Sequence, residues 1–380
     1  KFGRGQLLKE IPLQDKEGKH FNFMIPDSIL EQLHNIDLGA GGHIGVPEPI
    51  TNPDTRDQYF VSSLIEEAIT SSQLEGATTT RKVAKEMIRA GRPARDRSER
   101  MILNNFLTMQ RIGNLKQNPL TQELIFEIHR LVTHETWSGD EAAGRFRRPD
   151  EPIVIGNEEN EIFHTPPKAE ELEKRMDIMC DFANGKTPGF FIHPVIRSIM
   201  LHFWLAYDHP FVDGNGRTAR ALFYWAMLRN GFWLSEYISI SHILLKAPAK
   251  YSRSFLYTET DDNDLTYFIL YQVEVIRKAL EELHQYIEKR AAKVRTMEHN
   301  LQGIIMLNHR QRALISHALR HPNIHYSIEG HRLSHNVAYQ TARTDLLNLV
   351  ERKLFNSWKT GKTWYFRAEA DIESKLASLE

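Results

Sequence analysis

His209-Pro210-Phe211-Val212-Asp213-Gly214-Asn215-Gly216-Arg217-Thr218-Ala219-Arg220 is the stretch on which the reading of this chain turns. On its N-terminal side Ile196, Ile199, Met200, Phe203, Trp204 and Tyr207 recur at helical spacing. On its C-terminal side Leu222, Phe223, Ala226 and Met227 do the same. The twelve residues therefore read as a loop between two buried helices. Asp-Gly and Asn-Gly also favour hairpin turns, but a hairpin needs alternating strands on both sides, and these flanks have helical period.

The residue types in the loop suit the phosphates of a nucleotide. Gly214-Asn215-Gly216 opens the second helix, whose first N–H groups lack internal partners and, with the helix dipole, attract anions. Glycine lets a phosphate approach the backbone closely. Arg217 and Arg220 stand three apart and are expected to project from the first turn on one side, with guanidinium forks that match phosphate oxygens. Asp213 is the loop's only carboxylate, a hard oxygen ligand of the kind that holds Mg²⁺ beside phosphates. His209, with the ordinary near-neutral titration of histidine, is expected to end the first helix and to take a proton from an incoming hydroxyl.

These twelve residues resemble the signature of the Fic family (His-x-Phe-x-Asp/Glu-Gly-Asn-Gly-Arg-x-x-Arg) at every specified position. The resemblance implies transfer of AMP from ATP to a hydroxyl (Ser, Thr or Tyr) of a target protein, the chain itself included. It implies His209, Asp213, Asn215, Arg217 and Arg220 as catalytic residues. Gly214, Asn215, Gly216, Arg217 and Arg220 would hold the nucleotide, and Asp213 the Mg²⁺. Some members use other phosphate-bearing donors, and some remove the modification.

Ser71-Ser72-Gln73-Leu74-Glu75-Gly76 resembles the family's inhibitory motif (Ser/Thr-x-x-x-Glu-Gly/Asn). Phe60 to Leu74 reads as a helix with Leu64, Ala68 and Ser71/Ser72 on one side, and Gly76 suits the position that ends it. The resemblance makes Ser71 and Glu75 inhibitory, pairs Glu75 with Arg220, and places the chain in the subgroup whose inhibitory helix precedes the signature. Ile153-Val154-Ile155 and Ile162-Phe163 flank the polar stretch Gly156-Asn157-Glu158-Glu159-Asn160-Glu161 and read as a short hairpin, the only one expected in a helical region. In the family such a flap pairs with an extended target segment through the main chain.

The 380 residues exceed one ordinary domain, and 41% hydrophobic with 26% charged residues describes an ordinary soluble chain. Lys+Arg 48 against Asp+Glu 49 gives no basic excess that demands nucleic acid. The single cysteine, Cys180, excludes an internal disulfide and a Cys-based metal site; it reads as a buried side chain. No apolar run reaches the ~18 residues of a membrane-crossing helix. No signal-peptide pattern opens the chain, and a reducing cytoplasm without membrane partners is expected.

The expected fold is mostly α, a helical core with a short β-hairpin flap and a C-terminal winged helix. Three regions are expected: 1–95 with the inhibitory helix, 96–298 as the catalytic core, and 299–380 as the winged helix. The Gly/Pro-punctuated stretch Gly39 to Pro53 lies in the first. Core helices are read at Met101–Arg111, Leu120–Thr133, Ala169–Phe182, Pro194–Tyr207, Asn215–Arg229 and Leu265 to about Val294, the last closed by Lys289, Arg290, Lys293 and Arg295. In the third region Gln311–Leu319 reads as a helix, Leu333–Ala338 with Thr341–Val350 as helix–turn–helix, and Leu354-Phe355 with Trp364-Tyr365-Phe366 as a β-wing around Thr360-Gly361-Lys362. Between 301 and 369, Lys and Arg number ten against four Asp and Glu. A DNA-reading helix would use Gln340, Thr341, Arg343 and Thr344, though winged helices also dimerise or dock proteins, and a homodimer is a further expectation.

Three functions compete: an AMP-transferring enzyme restrained by Glu75, a hydrolase of the same bond in which Glu75 orients water, and a DNA-binding regulator with a nucleotide-sensing core. A P-loop enzyme is excluded, because Cys180 and Asn356 stand where Gly185-Lys186-Thr187 and Gly361-Lys362-Thr363 would need their first glycine. Tyr237 and Tyr251 lie in the part of the chain that would face adenine, without an assignment.

Overall fold

The computed structural model describes residues 7–41, 53–136, 142–156, 162–303, 306–321, 324–361 and 363–377. Among these the chain is mostly helical, with small β-sheets. It forms two compact units: Lys1–Ile44 with Ser62–Glu282, and Gly45–Val61 with Leu283–Glu380.

The first unit opens with an antiparallel hairpin, β1 (Lys9–Gln14) and β2 (His20–Phe23), followed by α1 (Asp27–Ile36). Sequence reading missed this hairpin. Its inward residues Ile11, Leu13, Phe21 and Phe23 are at most 2% exposed and alternate with less buried neighbours, a period of two spread over strands too short to stand out. Next come α2 (Pro53–Leu74), within which the division between units falls, α3 (Arg81–Ala90), α4 (Arg97–Leu115) and α5 (Gln122–Thr133). Their starts follow capping chemistry. Thr80, Asp96 and Thr121 accept the N–H of Val83, Glu99 and Leu124.

β3 (Ile155–Gly156) and β4 (Ile162–His164) form the expected short hairpin, with Ile155 opposite His164; its turn, 157–161, lies outside the described residues. α6 (Leu172–Ala183) follows. α7 (Pro194–Asp208) begins with Pro194 at the position where a missing N–H costs nothing, and the His193 side chain accepts the Val195 N–H. α8 (Asn215–Arg229) has the bounds read from the sequence. α9 (Ile240–Lys246), α10 (Pro248–Thr260) and α11 (Thr266–Gly303) complete the series, and the unit boundary falls within α11.

α7 and α8 pack on each other, and both are buried nearly all round, as central helices are. Trp204, Phe203, Phe223, Tyr224 and Trp225 are at most 1% exposed. Phe203 meets Phe21 of β2 (ring centroids 5.4 Å), Phe255 of α10 (5.2 Å) and Phe268 of α11 (5.2 Å). One α7 side chain thus joins the N-terminal hairpin and two later helices to the helix that leads into the loop.

The second unit contains α12 (His309–Arg320), β5 (Tyr326–Ser327), α13 (Ile328–His335), α14 (Tyr339–Glu351), β6 (Phe355–Thr360), β7 (Thr363–Ala368) and α15 (Ile372–Ala377). The strands form one antiparallel sheet in the order β5-β7-β6. Asn336, in the left-handed region at φ 48°, turns α13 into α14. Leu314, Ile315, Ala342, Leu346, Leu349, Phe355 and Phe366 are in its own apolar core.

Truncation of Phe203 to alanine should lower the unfolding free energy by about 3–5 kcal/mol, the cost of removing a buried aromatic side chain. Urea denaturation followed by tryptophan fluorescence measures it. A loss below about 1 kcal/mol would show that the hairpin and α7 do not share one core.

Candidate active site at the α7–α8 loop

The loop is shaped from both ends. Asp208, the last residue of α7, is fully buried and accepts from Arg175 Nε (2.9 Å) and Nη2 (2.6 Å) and from Trp204 Nε1 (3.0 Å). His209 then turns through the left-handed region at φ 46°. Asn215 closes the loop: its Oδ1 accepts the Phe211 N–H (2.9 Å) and its Nδ2 donates to Phe211 O (2.7 Å). Gly214 sits at φ 81°, and a Cβ there would lie 2.6 Å from Thr133 Cγ2, so glycine is required on both counts.

The two arginines do not converge. Arg217 is fully buried; its Nη1 donates to Val132 O of α5 (2.6 Å) and its Nη2 lies 3.4 Å from Asp213 Oδ2. Arg220, 1% exposed, turns instead to α2, donating from Nε to Ser71 Oγ (2.8 Å) and from Nη2 to Ser71 O (2.9 Å) and Glu75 Oε1 (2.9 Å). Equal helical spacing is overruled by what each guanidinium can reach from inside the core.

Glu75 lies just beyond α2, where Gly76 at φ 89° lets the chain turn away. A Cβ added to Gly216 would be 2.1 Å from Glu75 Oε1. The carboxylate therefore rests on the first turn of α8, the place the sequence marks for an anion. α2 has a second attachment to the same helix. Glu67, 1% exposed, accepts from Tyr224 OH (2.9 Å), Ser239 Oγ (2.8 Å), Ser241 N (3.0 Å) and Ser241 Oγ.

His209 Nδ1 lies 3.2 Å from Ala206 O. A carbonyl only accepts, so the Nδ1 proton occupies this bond and the neutral ring keeps its Nε2 lone pair. Burial pulls its pKa down to about 4, against the opposing pull of Ala206 O and the Glu75 charge. This corrects the near-neutral titration expected from the sequence: the ring is a neutral base throughout the ordinary pH range.

Asp213 Oδ1 accepts the Gly214 N–H (2.6 Å), and its Oδ2 lies 3.3 Å from Arg97 Nη2. Among the described residues no three His, Cys, Asp or Glu side chains gather as a metal site. A divalent cation here would have Asp213 as its protein carboxylate, with the rest of its shell supplied by waters and phosphates. Beside the loop, β4 is fixed through buried His164, whose Nε2 donates to Tyr207 O (2.7 Å) while Nδ1 lies 2.7 Å from Glu259 Oε2. Val154, Ile162 and Phe163 around this hairpin are 56%, 59% and 48% exposed. Tyr251 OH is 2.8 Å from Nε2 of fully buried His202, and Tyr237 packs on Trp233.

Sequence reading missed several residues that the structure brings to the loop. His129 of α5 stacks on Phe211 and reaches Asp213 O; Arg147 reaches His209 O; Arg97 reaches Asp213; Glu67 holds α2. His129 sits in an ordinary amphipathic helix, and Arg147 lies in Arg145-Phe146-Arg147-Arg148, which looks like a solvated charge run. The one available sign was a histidine among the apolar positions of α5.

Residues 119–227 match the Fic/DOC family. A protein adenylyltransferase Fic of Nematostella vectensis is 37% identical over 117 residues, 31% of this chain and 25% of that protein. Protein adenylyltransferase fic-1 of Caenorhabditis elegans is 27% identical over 179 residues, 47% of this chain and 33% of that protein. The chain thus spans a quarter to a third of these two relatives. A Fic family protein from Desulfovibrio desulfuricans G20 has the same fold over 91% of this chain and 97% of its own, with a TM-score of 0.62 and 19% identity. Fic-1 (residues 134–508) from C. elegans aligns over 68% of this chain and 73% of its own, with a TM-score of 0.52 and 20% identity. With the loop His209–Arg220 inside the matched segment, this chain carries a Fic domain of the Fic/DOC family.

Proposed function

We propose that the chain is a protein adenylyltransferase that moves AMP from ATP to a hydroxyl side chain of a protein, and that Glu75 restrains it. The observation that carries the reading is a neutral His209, with its Nε2 lone pair free of the Ala206 bond, beside an anion position at the start of α8. His209 accepts the proton of the target hydroxyl, whose oxygen attacks the α-phosphate, and pyrophosphate leaves. The Asn215 and Gly216 amides and Arg220 hold phosphate oxygens, so most of the catalysis is positioning and charge stabilisation. Mg²⁺ arriving with the nucleotide fits Asp213 and would offset phosphate charge. The exposed edge at Val154, Ile162 and Phe163 suits an extended segment of the target.

The Glu75 carboxylate occupies the Arg220 fork and the space over Gly216. A phosphate group placed there meets a like charge, which costs several kcal/mol, and an ATP pushed aside by about 1 Å loses roughly 10²-fold in rate. One observation favours a second reading, removal of AMP: the Glu75 carboxylate stands over the first turn of α8, where it would orient a water for attack on a bound phosphate. We read the second unit as a winged helix, because its order (helix, strand, two helices, two strands) and its sheet suit that fold. Of the residues expected to read DNA, Gln340, Arg343 and Thr344 are exposed and Thr341 is half-buried.

Glu75→Gly should raise label transfer from ATP, with the chain itself as acceptor, by at least tenfold. The same variant should gain more thermal stability from Mg²⁺·ATP than the parent does. Flat or falling transfer together with the loss of a hydrolytic activity would make Glu75 a residue of removal.

In the Glu75→Gly background, His209→Ala should cut transfer by about 10²–10⁴-fold, the usual contribution of a general base. With His209 intact, kcat should vary little between pH 5.5 and 8, because the base protonates only as pH falls toward its folded value of about 4. An acid limb centred near the ordinary histidine value would contradict the desolvated ring.

Asp213→Ala should remove both the Mg²⁺ dependence and most of the transfer. An unchanged Mg²⁺ requirement in that variant would place the ion elsewhere.

A further inference from the structure

The loop is gripped by its main chain from outside. Arg147 donates from Nε to His209 O (3.0 Å), and its backbone N–H donates to Pro210 O (2.8 Å). His129 holds the far end. Its Nε2 lies 2.9 Å from Asp213 O, its Nδ1 lies 2.9 Å from Gly144 N, and its ring stacks on Phe211 at 3.7 Å between centroids. The partners fix the tautomer. A backbone N–H only donates, so Gly144 makes Nδ1 an acceptor; a carbonyl only accepts, so Nε2 carries the proton to Asp213 O.

We propose that His129 is a positioning residue for nucleotide transfer: locked by Gly144 in its Nε2–H tautomer, it pins the Asp213 carbonyl and thereby sets both the Asp213 carboxylate and the Gly214 amide. The proposal rests on the transferase reading for its kinetic consequence, but the tautomer lock itself does not. Three features tie the grip to the loop rather than to general packing. His129 is 2% exposed and engages through both ring nitrogens. Thr133, one turn later on α5, approaches the very place where a Cβ on Gly214 would stand. Asp213 O is the carbonyl directly before the left-handed Gly214 that caps the start of α8. A rotation of that peptide would turn the Asp213 side chain and the Gly214 N–H together, since Asp213 Oδ1 accepts that N–H.

Glutamine and asparagine separate the two bonds. A glutamine amide can place N–H₂ near the Nε2 position and serve Asp213 O. An asparagine oxygen reaches only the Nδ1 position and serves Gly144. In the Glu75→Gly chain with labelled ATP and Mg²⁺, His129→Asn should lower kcat by about 10²-fold while the KM for ATP moves less than fivefold, the cost of a displaced catalytic group. His129→Gln should keep kcat within tenfold of the parent. Melting temperatures of both variants separate this from lost packing: the kcat order should hold even where the two melt alike. Long-range ¹H–¹⁵N correlation of the unsubstituted chain should show the His129 ring proton on Nε2. Equal kcat in folded Asn and Gln variants overturns the positioning role. A proton on Nδ1 overturns the lock, whatever the variants or the parent do. If the Glu75→Gly parent transfers no label while Nε2–H is found, the transferase reading fails and the lock stands.

Discussion

A buried cation must be compensated, and at Arg220 that requirement organises the region around the loop. Its guanidinium is 1% exposed. The Ser71 hydroxyl and carbonyl satisfy two of its donor bonds, but the negative charge comes from Glu75. Burial disfavours the charged form, yet the nearby Glu75 leaves the Arg220 pKa raised. Removing one partner of a buried pair typically costs about 3–5 kcal/mol, so the end of α2 is drawn onto the first turn of α8. A phosphate can meet the same requirement. On the proposed reading a nucleotide and Glu75 compete for this one place, which Glu75 holds in the structure.

The blocking group does not have to hold the helix that carries it. Two turns earlier, Glu67 accepts four hydrogen bonds from Tyr224, Ser239 and Ser241. Such a carboxylate is expensive to bury unless it is fully bonded, so these donors keep the middle of α2 in place. Glu75 then acts as a removable carboxylate on a fixed support. On the proposed reading the restraint rests on Glu75, just past the end of α2, while Glu67 seats the helix itself.

Much of the site was legible because its signals are local. Apolar residues at helical spacing announced α7 and α8, and Gly214-Asn215-Gly216 placed the start of α8. Gly76 announced the end of α2, and the pairing of Glu75 with Arg220 came from the resemblance rather than from spacing. What stayed hidden depends on contacts between distant parts of the chain. His129 meets Asp213 across 84 positions, and Arg147 is 7% exposed although it lies in a stretch with Arg145 and Arg148. The β1–β2 hairpin rests on Phe21 finding Phe203 and Tyr207. The titration of His209 was misread because sequence supplies an intrinsic value, and burial decides the actual one.

The loop divides its residues between shape and chemistry, and Asp213 stands at the boundary. Both groups of the Asn215 side chain are spent on Phe211, and Arg217 gives Nη1 to Val132 O and turns Nη2 to Asp213. These two residues, marked by the resemblance as catalytic, hold the geometry with their side chains. On the proposed reading, His209 and the amides at the start of α8 are the groups left to meet substrate. Asp213 Oδ2 faces two guanidinium groups of unlike standing: Arg217 is fully buried, whereas the Arg97 side chain is 59% exposed. An exposed ion pair contributes only about 0–1 kcal/mol, so Arg97 can leave with little loss while Arg217 stays. On the proposed Mg²⁺ reading, the carboxylate becomes available to a cation when one solvent-exposed side chain moves, with the peptide behind it held by His129.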